Sequence, residues 1–276
     1  MHATLSFGQA RPSVSDPQKL AHLRRSLADA GLTSQETHAR IPLGCPSADA
    51  ALKGGLQRGA LHEVFAPSGH EAAAAGFACA AALRLSSAKH LLWIRQDFSA
   101  TEHGEIAPTG LIEFGADPSR IFILAVADAS DAVRAAKDAL SSPALGAVII
   151  ETIGEPKVLD LVTSRRLTLA ASKEGCSALL LRFGAEPDAS AAETRWYVRA
   201  ARSHPNDEDW GKPVFETDLV RNRHGSTGHW VMEWSCDDGL FKERPSDRGA
   251  VVSSPCDRPP AAAMEGARGA RDVRVS

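Results

Sequence analysis

Little in this chain points to membrane, metal or disulfide chemistry. No stretch of its 276 residues approaches the ~20 uncharged apolar residues that span a bilayer. Cys45, Cys79, Cys176, Cys236 and Cys256 are scattered, and none are paired at the CxxC spacing of a zinc site. An odd, scattered set reads as reduced thiols, and residues 1–10 lack the basic stretch and apolar run of a secretory signal, so a cytoplasmic location is expected. Charge of one sign is also missing. Lys and Arg number 31 against 34 Asp and Glu, a net charge of −3, so no global basic field draws in nucleic acid and any such contact must be local. There is no HExxH and no G-x-S-x-G, so neither a zincin helix nor a hydrolase elbow finds support. No metal and no cofactor are expected.

What is present alternates between strand and helix. Short apolar strands are expected at 61–65, 91–94, 121–126, 145–150 and 177–181. Helices at 71–85, 130–140 and 158–173 lie between them, which implies an α/β fold with a mostly parallel central sheet. The run 145–150 is continuously apolar and reads as buried on both faces. After about residue 190 the texture changes to strands at 195–201 and 214–222. A turn at 225–228 then leads to 230–234, a hairpin rich in tryptophan for a chain with 5% aromatics. Residues 1–37 form an N-terminal helix and linker in this reading. Ser15-Asp16-Pro17 starts the helix, Leu20, Leu23, Leu27 and Ala30 share a face, and Gly31 stops it. The domain is expected over 38–241 and a disordered tail over 242–276, where large apolar side chains become rare.

The first strand–turn–helix is where such a fold binds phosphate. A working P-loop needs G-x-x-x-x-G-K-[S/T], with backbone amides around the phosphates, a lysine on the β- and γ-phosphates and a hydroxyl on Mg²⁺. Here the turn reads Phe65-Ala66-Pro67-Ser68-Gly69-His70-Glu71-Ala72. His70 stands in place of the lysine, Glu71 in place of the hydroxyl, and the turn is about one residue short. A carboxylate there repels a triphosphate by ~1 kcal/mol or more at contact distance. Asp97 follows the second strand, at the place of a water-activating acid, and Glu151 ends the strand 147–150, at the place of a Mg²⁺-associated acid. Ser68, Gly69, His70, Glu71, Asp97 and Glu151 therefore read as a vestigial nucleotide site with no catalytic residue. Strand-end acids also cap turns, which explains Asp97 and Glu151 without any ligand.

Two sets of arginines are the other candidates. Arg221 and Arg223, at i and i+2 beside a glycine turn, suit bidentate capture of an anion or a partner; a charged edge strand explains them equally well. Arg195 and Arg199 share a strand face with Tyr197, a pattern that fits a nucleic-acid surface or a half-exposed strand with Trp196 and Val198 inward.

These residues together resemble the RecA-like P-loop ATPase core. Residues 41–59, ending Gly54-Gly55-Leu56-Gln57-Arg58-Gly59, are similar to that superfamily's entry to the P-loop strand. Phe114-Gly115-Ala116-Asp117-Pro118 is similar to the segment before its third strand, and 220–228 to the basic C-terminal β-hairpin of its hexameric helicases. Within it, the degenerate Walker A, Gly59-Ala60-Leu61-His62-Glu63-Val64, Arg165-Arg166-Leu167-Thr168-Leu169-Ala170-Ala171, Leu179-Leu180-Leu181-Arg182, Thr194-Arg195-Trp196 and Leu219-Val220-Arg221-Asn222-Arg223 resemble the ImuA family, over roughly 38–241.

The resemblance implies a non-catalytic accessory protein of SOS-induced, error-prone translesion DNA synthesis. The implied partners are RecA, an inactive Y-family polymerase homologue (ImuB-like) and an error-prone C-family DNA polymerase, with single-stranded DNA as a further contact. Two alternatives share the fold. One is an active ATP-dependent recombinase or helicase paralogue, which Asp97, Glu151, Arg221 and Arg223 favour and His70 and Glu71 oppose. The other is a regulator of RecA filaments or cell division.

Overall fold

The computed structural model describes residues 39–203 and 211–244. The helix expected within 1–37 and the tail from 245 onward lie outside the described residues. At the start of the described chain, β1 (Arg40–Ile41) pairs antiparallel with β2 (Leu56–Gln57) around α1 (Pro46–Ala51). The Asp49 carboxylate accepts the backbone N–H groups of Leu43 and Gly44 at 2.7 and 2.9 Å, which pins this entry turn.

The main sheet is built from β3 (Leu61–Ala66), β4 (His90–Gln96), β5 (Ile121–Val126), β6 (Leu145–Ile153), β7 (Ser177–Phe183), β8 (Thr194–Ala200), β9 (Val214–Asn222), β10 (Gly228–Ser235) and β11 (Leu240–Arg244). Their spatial order is β11-β10-β9-β8-β3-β7-β6-β4-β5. The strands from β8 across to β5 run parallel, and β9, β10 and β11 extend the sheet antiparallel from β8. The fold is therefore α/β with a large mixed, mostly parallel central sheet. The helices are α2 (Glu71–Ser86), α3 (Ser99–His103), α4 (Pro108–Glu113), α5 (Ala129–Leu140) and α6 (Leu161–Glu174).

Each face of the sheet has its own core. On one face lies α2, whose run of alanines lets it approach closely, and Phe77 enters a cluster with Trp196, Phe215 and Phe241 at centroid distances of 5.3, 6.2 and 5.4 Å. On the other face α5 and α6 bury Ala132, Ala136, Leu140, Leu167 and Ala171 against Leu61, Val148, Ile150 and Leu180. Both helices begin at aspartate caps. Asp128 accepts from the N–H groups of Ser130 and Asp131, and Asp160 from that of Thr163. With helices on both faces, β6 and β7 are buried almost throughout, as their unbroken apolar runs predict.

Three of the differences from the sequence expectation bear on a helix start, the candidate site and the domain boundary. α6 starts at Leu161 rather than 158, because Asp160 adopts the extended cap conformation. β6 runs on to Ile153, so Glu151 lies inside the strand and not at its end. β11 carries the ordered fold to Arg244, past the boundary expected at 241. Phe241 of that strand is fully buried against Trp234, while Lys242 and Glu243 are exposed.

Candidate functional site

The parallel strands bring Ser68, Gly69, His70 and Asp97 to one end of the sheet. The turn after β3 is a tight four-residue connection closed by a hydrogen bond from His70 N–H to the Pro67 carbonyl at 3.0 Å. Gly69 sits at φ +83°, a backbone conformation that favours glycine, with open space where a Cβ would project. Its N–H is the donor a bound phosphate would use in a P-loop. Here it donates to the Glu71 carboxylate at 3.2 Å. Glu71 also begins α2, where the helix N-terminus favours an anion. The turn thus carries its own negative charge on an amide of the phosphate-cradle kind.

His70 is held from the other side. Its Nδ1 accepts the backbone N–H of Ala200, at the end of β8, at 3.0 Å. An Nδ1 that accepts this bond carries no proton, so His70 acts here as a tie between the turn and β8. Asp97 is exposed beyond β4, and its N–H donates to the Val126 carbonyl at 2.8 Å.

Glu151 is not presented to that end of the sheet. It is buried two strands away from β3, and its carboxylate accepts from Trp93 Nε1 at 2.8 Å and from Arg95 Nη2 at 3.1 Å. Arg95 is buried as well, and its Nη1 donates to the Gly104 carbonyl at 3.0 Å. A buried pair held this way stabilises the fold mainly through the cost of breaking it, about 3–5 kcal/mol when one partner is removed.

The four arginines singled out in the sequence are engaged by the fold itself, three of them by one loop. Arg195 Nε donates to buried Glu63 at 2.7 Å, and its Nη2 donates to the Asp188 carbonyl at 2.6 Å. Arg221 Nη1 donates to the Ser190 carbonyl at 2.9 Å, and Arg223 Nε to the Ala192 carbonyl at 3.0 Å. Arg223 lies beyond the end of β9, so it is not the outward i+2 neighbour of Arg221 on one strand face; the glycine turn does not project this pair. Three arginines therefore clamp one irregular strap, 184–193, between β7 and β8. The fourth, Arg199, pairs with Asp218 at 2.8 Å on the open face of the antiparallel strands. Burial, then the neighbouring charges of Arg223 and Arg195, push the Arg221 guanidinium down from its usual value, and it remains a cation.

Several supporting side chains were not legible in the sequence. Arg182 is buried on β7 and lies over the Phe65 ring at 5.4 Å; Arg195 does the same at 5.6 Å. Arg40 and His224 both reach Glu193, at 3.3 and 2.7 Å, and fasten the end of the strap. These partners are more than a hundred residues from β7–β9 in the cases of Phe65 and Arg40, so spacing carries no trace of them. Among the described residues no cluster of His, Cys, Asp and Glu is placed to hold a metal ion, and no helix is long and apolar enough to cross a membrane. Cys45, Cys79, Cys176 and Cys236 are unbridged, and burial pushes the Cys79 and Cys176 thiols up to about 12.

No protein-family model matches the chain. Two curated relatives do, both named Protein ImuA, from Caulobacter vibrioides strains NA1000 / CB15N and ATCC 19089 / CIP 103742 / CB 15. Each is 28% identical over 211 residues, which covers 70% of this chain and 82% of the relative. Over that length the chain is similar to Protein ImuA. This agrees with the family that the motifs between residues 38 and 241 resemble. The share covered on both sides shows that the kinship spans most of each chain rather than one motif.

Proposed function

We propose that this protein acts in SOS-induced mutagenesis as a non-catalytic accessory protein, a RecA-like core with a degenerate Walker A that works through protein partners in error-prone translesion DNA synthesis. Similarity to Protein ImuA supports the process. The absence of catalysis rests on one observation above the others: the Gly69 amide is taken by the Glu71 carboxylate, beside a His70 that is tied to β8. Ser68, Gly69, His70, Glu71, Asp97 and Glu151 are in this reading a vestigial nucleotide site. Asp97 is left without a phosphate to act on, and Glu151 is committed to Arg95 and Trp93. Arg195, Arg199, Arg221 and Arg223 then serve a partner surface indirectly, by fixing the strap and the strands beside it. The partners follow from the family resemblance: RecA, an ImuB-like inactive polymerase homologue and an error-prone C-family polymerase.

Co-sedimentation with RecA filaments on single-stranded DNA, against protein-alone and DNA-alone controls, tests the reading. Sedimentation that requires RecA, or retention by the polymerase partners, supports an adapter. Sedimentation with DNA alone moves the contact to the arginine strands. Binding to neither RecA nor the polymerases, or ATP turnover lost on Asp97→Asn, overturns it.

A further inference from the structure

The two edges of the nine-stranded sheet are built differently. β11, at one edge, is short and carries Lys242, Glu243 and Arg244, the charged dressing that keeps an edge from pairing with another chain. β5, at the other edge, reads Ile121-Phe122-Ile123-Leu124-Ala125-Val126 and has no charge. It pairs with β4 on its inner side alone. Its large side chains are nonetheless open to solvent: Phe122 is 53% exposed, Ile123 46% and Leu124 38%. Because side chains alternate along a strand, Phe122 and Leu124 lie on one face and Ile123 on the other. The edge is therefore apolar above and below, with a free row of backbone N–H and C=O groups between. An uncovered apolar edge of this kind marks a site where another strand is added.

We infer that the strand added there is β5 of a second copy of this chain, running antiparallel about a twofold axis, so that two nine-stranded sheets join into one. The occupant must be a strand that is apolar on both faces, uncharged and open along one edge. Among the described residues, β5 itself is the strand that meets this description. Its ends also complement each other. Arg120 precedes the strand and Asp128 follows it. In an antiparallel pair the Arg120 end of one copy lies at the Asp128 end of the other. Arg120 is anchored by Nη2 to the carbonyls of Ser87 and Lys89 at 2.6 and 2.7 Å, which leaves Nε and Nη1 to reach outward. Asp128 caps α5 through Oδ1, which leaves Oδ2. Beyond Asp128, an open groove of about 480 Å³ is lined by Ala125, Val126, Ala135, Asp131, Arg134 and Asp138, with one more acid than base to meet an incoming arginine. A twofold pairing closes on itself, since among the described strands of the main sheet each copy uses its uncharged edge and the dimer is left with the two charged β11 edges. This assembly is independent of nucleotide and of the partners named above.

Sedimentation velocity of the full chain over a wide concentration range reads the result directly. The expected outcome is a dimer. Ile123→Lys, which puts a charge on an exposed strand position, is expected to raise its Kd by about tenfold or more with far-UV circular dichroism unchanged. Leu169→Lys, on the exposed side of α6 and away from the edge, is expected to leave the dimer intact. If Ile123→Lys loses structure, the charge pair decides: Arg120→Asp weakens the dimer and Arg120→Asp with Asp128→Arg restores it. A chain that stays monomeric at every concentration overturns the inference, as does a dimer indifferent to both Ile123→Lys and Arg120→Asp.

Discussion

The backbone N–H of Gly69 donates to the carboxylate of Glu71, two residues further along the same turn, at 3.2 Å. That amide is thereby satisfied within the turn, and the negative charge already in place opposes a second one. Mg-ATP at a hundred times its Kd would add about 2.7 kcal/mol to stability and raise Tm by several degrees in a domain of this size. The expected result with millimolar Mg-ATP is no shift in a thermal scan.

Glu151 is the acid most changed by the structure, from a strand-end group to a buried partner of Arg95. Glu151→Gln keeps an acceptor for Trp93 but removes the buried counter-charge of Arg95, which is left with the longer contact to exposed Glu105 at 3.9 Å. Urea denaturation is expected to show a loss of about 3 kcal/mol, whatever nucleotide is present. A variant with wild-type stability would show that the pair is not held as described.

The clamp on the strap makes a graded series. Arg195→Ala removes the partner of buried Glu63 and is expected to cost about 3 kcal/mol. Arg223→Ala removes one hydrogen bond to the Ala192 carbonyl and is expected to cost about 1 kcal/mol. Limited proteolysis should locate the change, with cleavage within 184–193 appearing first in Arg195→Ala and Arg221→Ala. Equal protection in all variants would argue against a clamp.

His62 supplies a pH dependence. It is fully buried on β3, with Nδ1 2.8 Å from Thr194 Oγ1 and Nε2 2.9 Å from the Gln57 carbonyl. Since a carbonyl only accepts, Nε2 carries the proton and Nδ1 accepts from the threonine hydroxyl. Burial lowers the pKa of this imidazole; the Gln57 carbonyl and Glu193 oppose the shift without reversing it, and the Arg40 charge adds to it. A histidine whose folded pKa lies below its unfolded value of about 6.5 contributes its full stability above that pH and loses it as the pH falls. Stability is therefore expected to decline below about pH 6.5, with a slope of up to about 1.4 kcal/mol per pH unit. His62→Gln is expected to flatten it, as read by denaturation at pH 5 and pH 8.

The architecture was largely legible because its signals are local. The apolar run 121–126 and the alternating strand 214–222 lie between turn residues such as Pro118, Gly211 and Gly225, and both strands have the bounds those residues suggest. β11 escaped notice because one apolar pair, Leu240 and Phe241, is followed by charges that look like a tail; only contact with Trp234 makes it a strand. The candidate site was harder, since each residue type was visible but not its partner. Nothing in the order of residues tells that Glu151 faces Arg95, 56 positions earlier, or that Arg195 returns to Glu63 across 132. A lone acid or arginine at a strand end looks available to a ligand until the fold supplies its counter-charge.

The central place of β3 sets a schedule for synthesis. Its neighbours on both sides, β7 and β8, come late in the chain, and His62 waits for Thr194, 132 residues downstream. At about 5–20 residues per second, the strand 61–66 leaves the ribosome roughly 7–26 s before it can be enclosed. During that interval the nascent chain holds its future keystone strand bare, so yield on expression should depend on chaperone capacity and translation speed more than on the stability of the finished molecule.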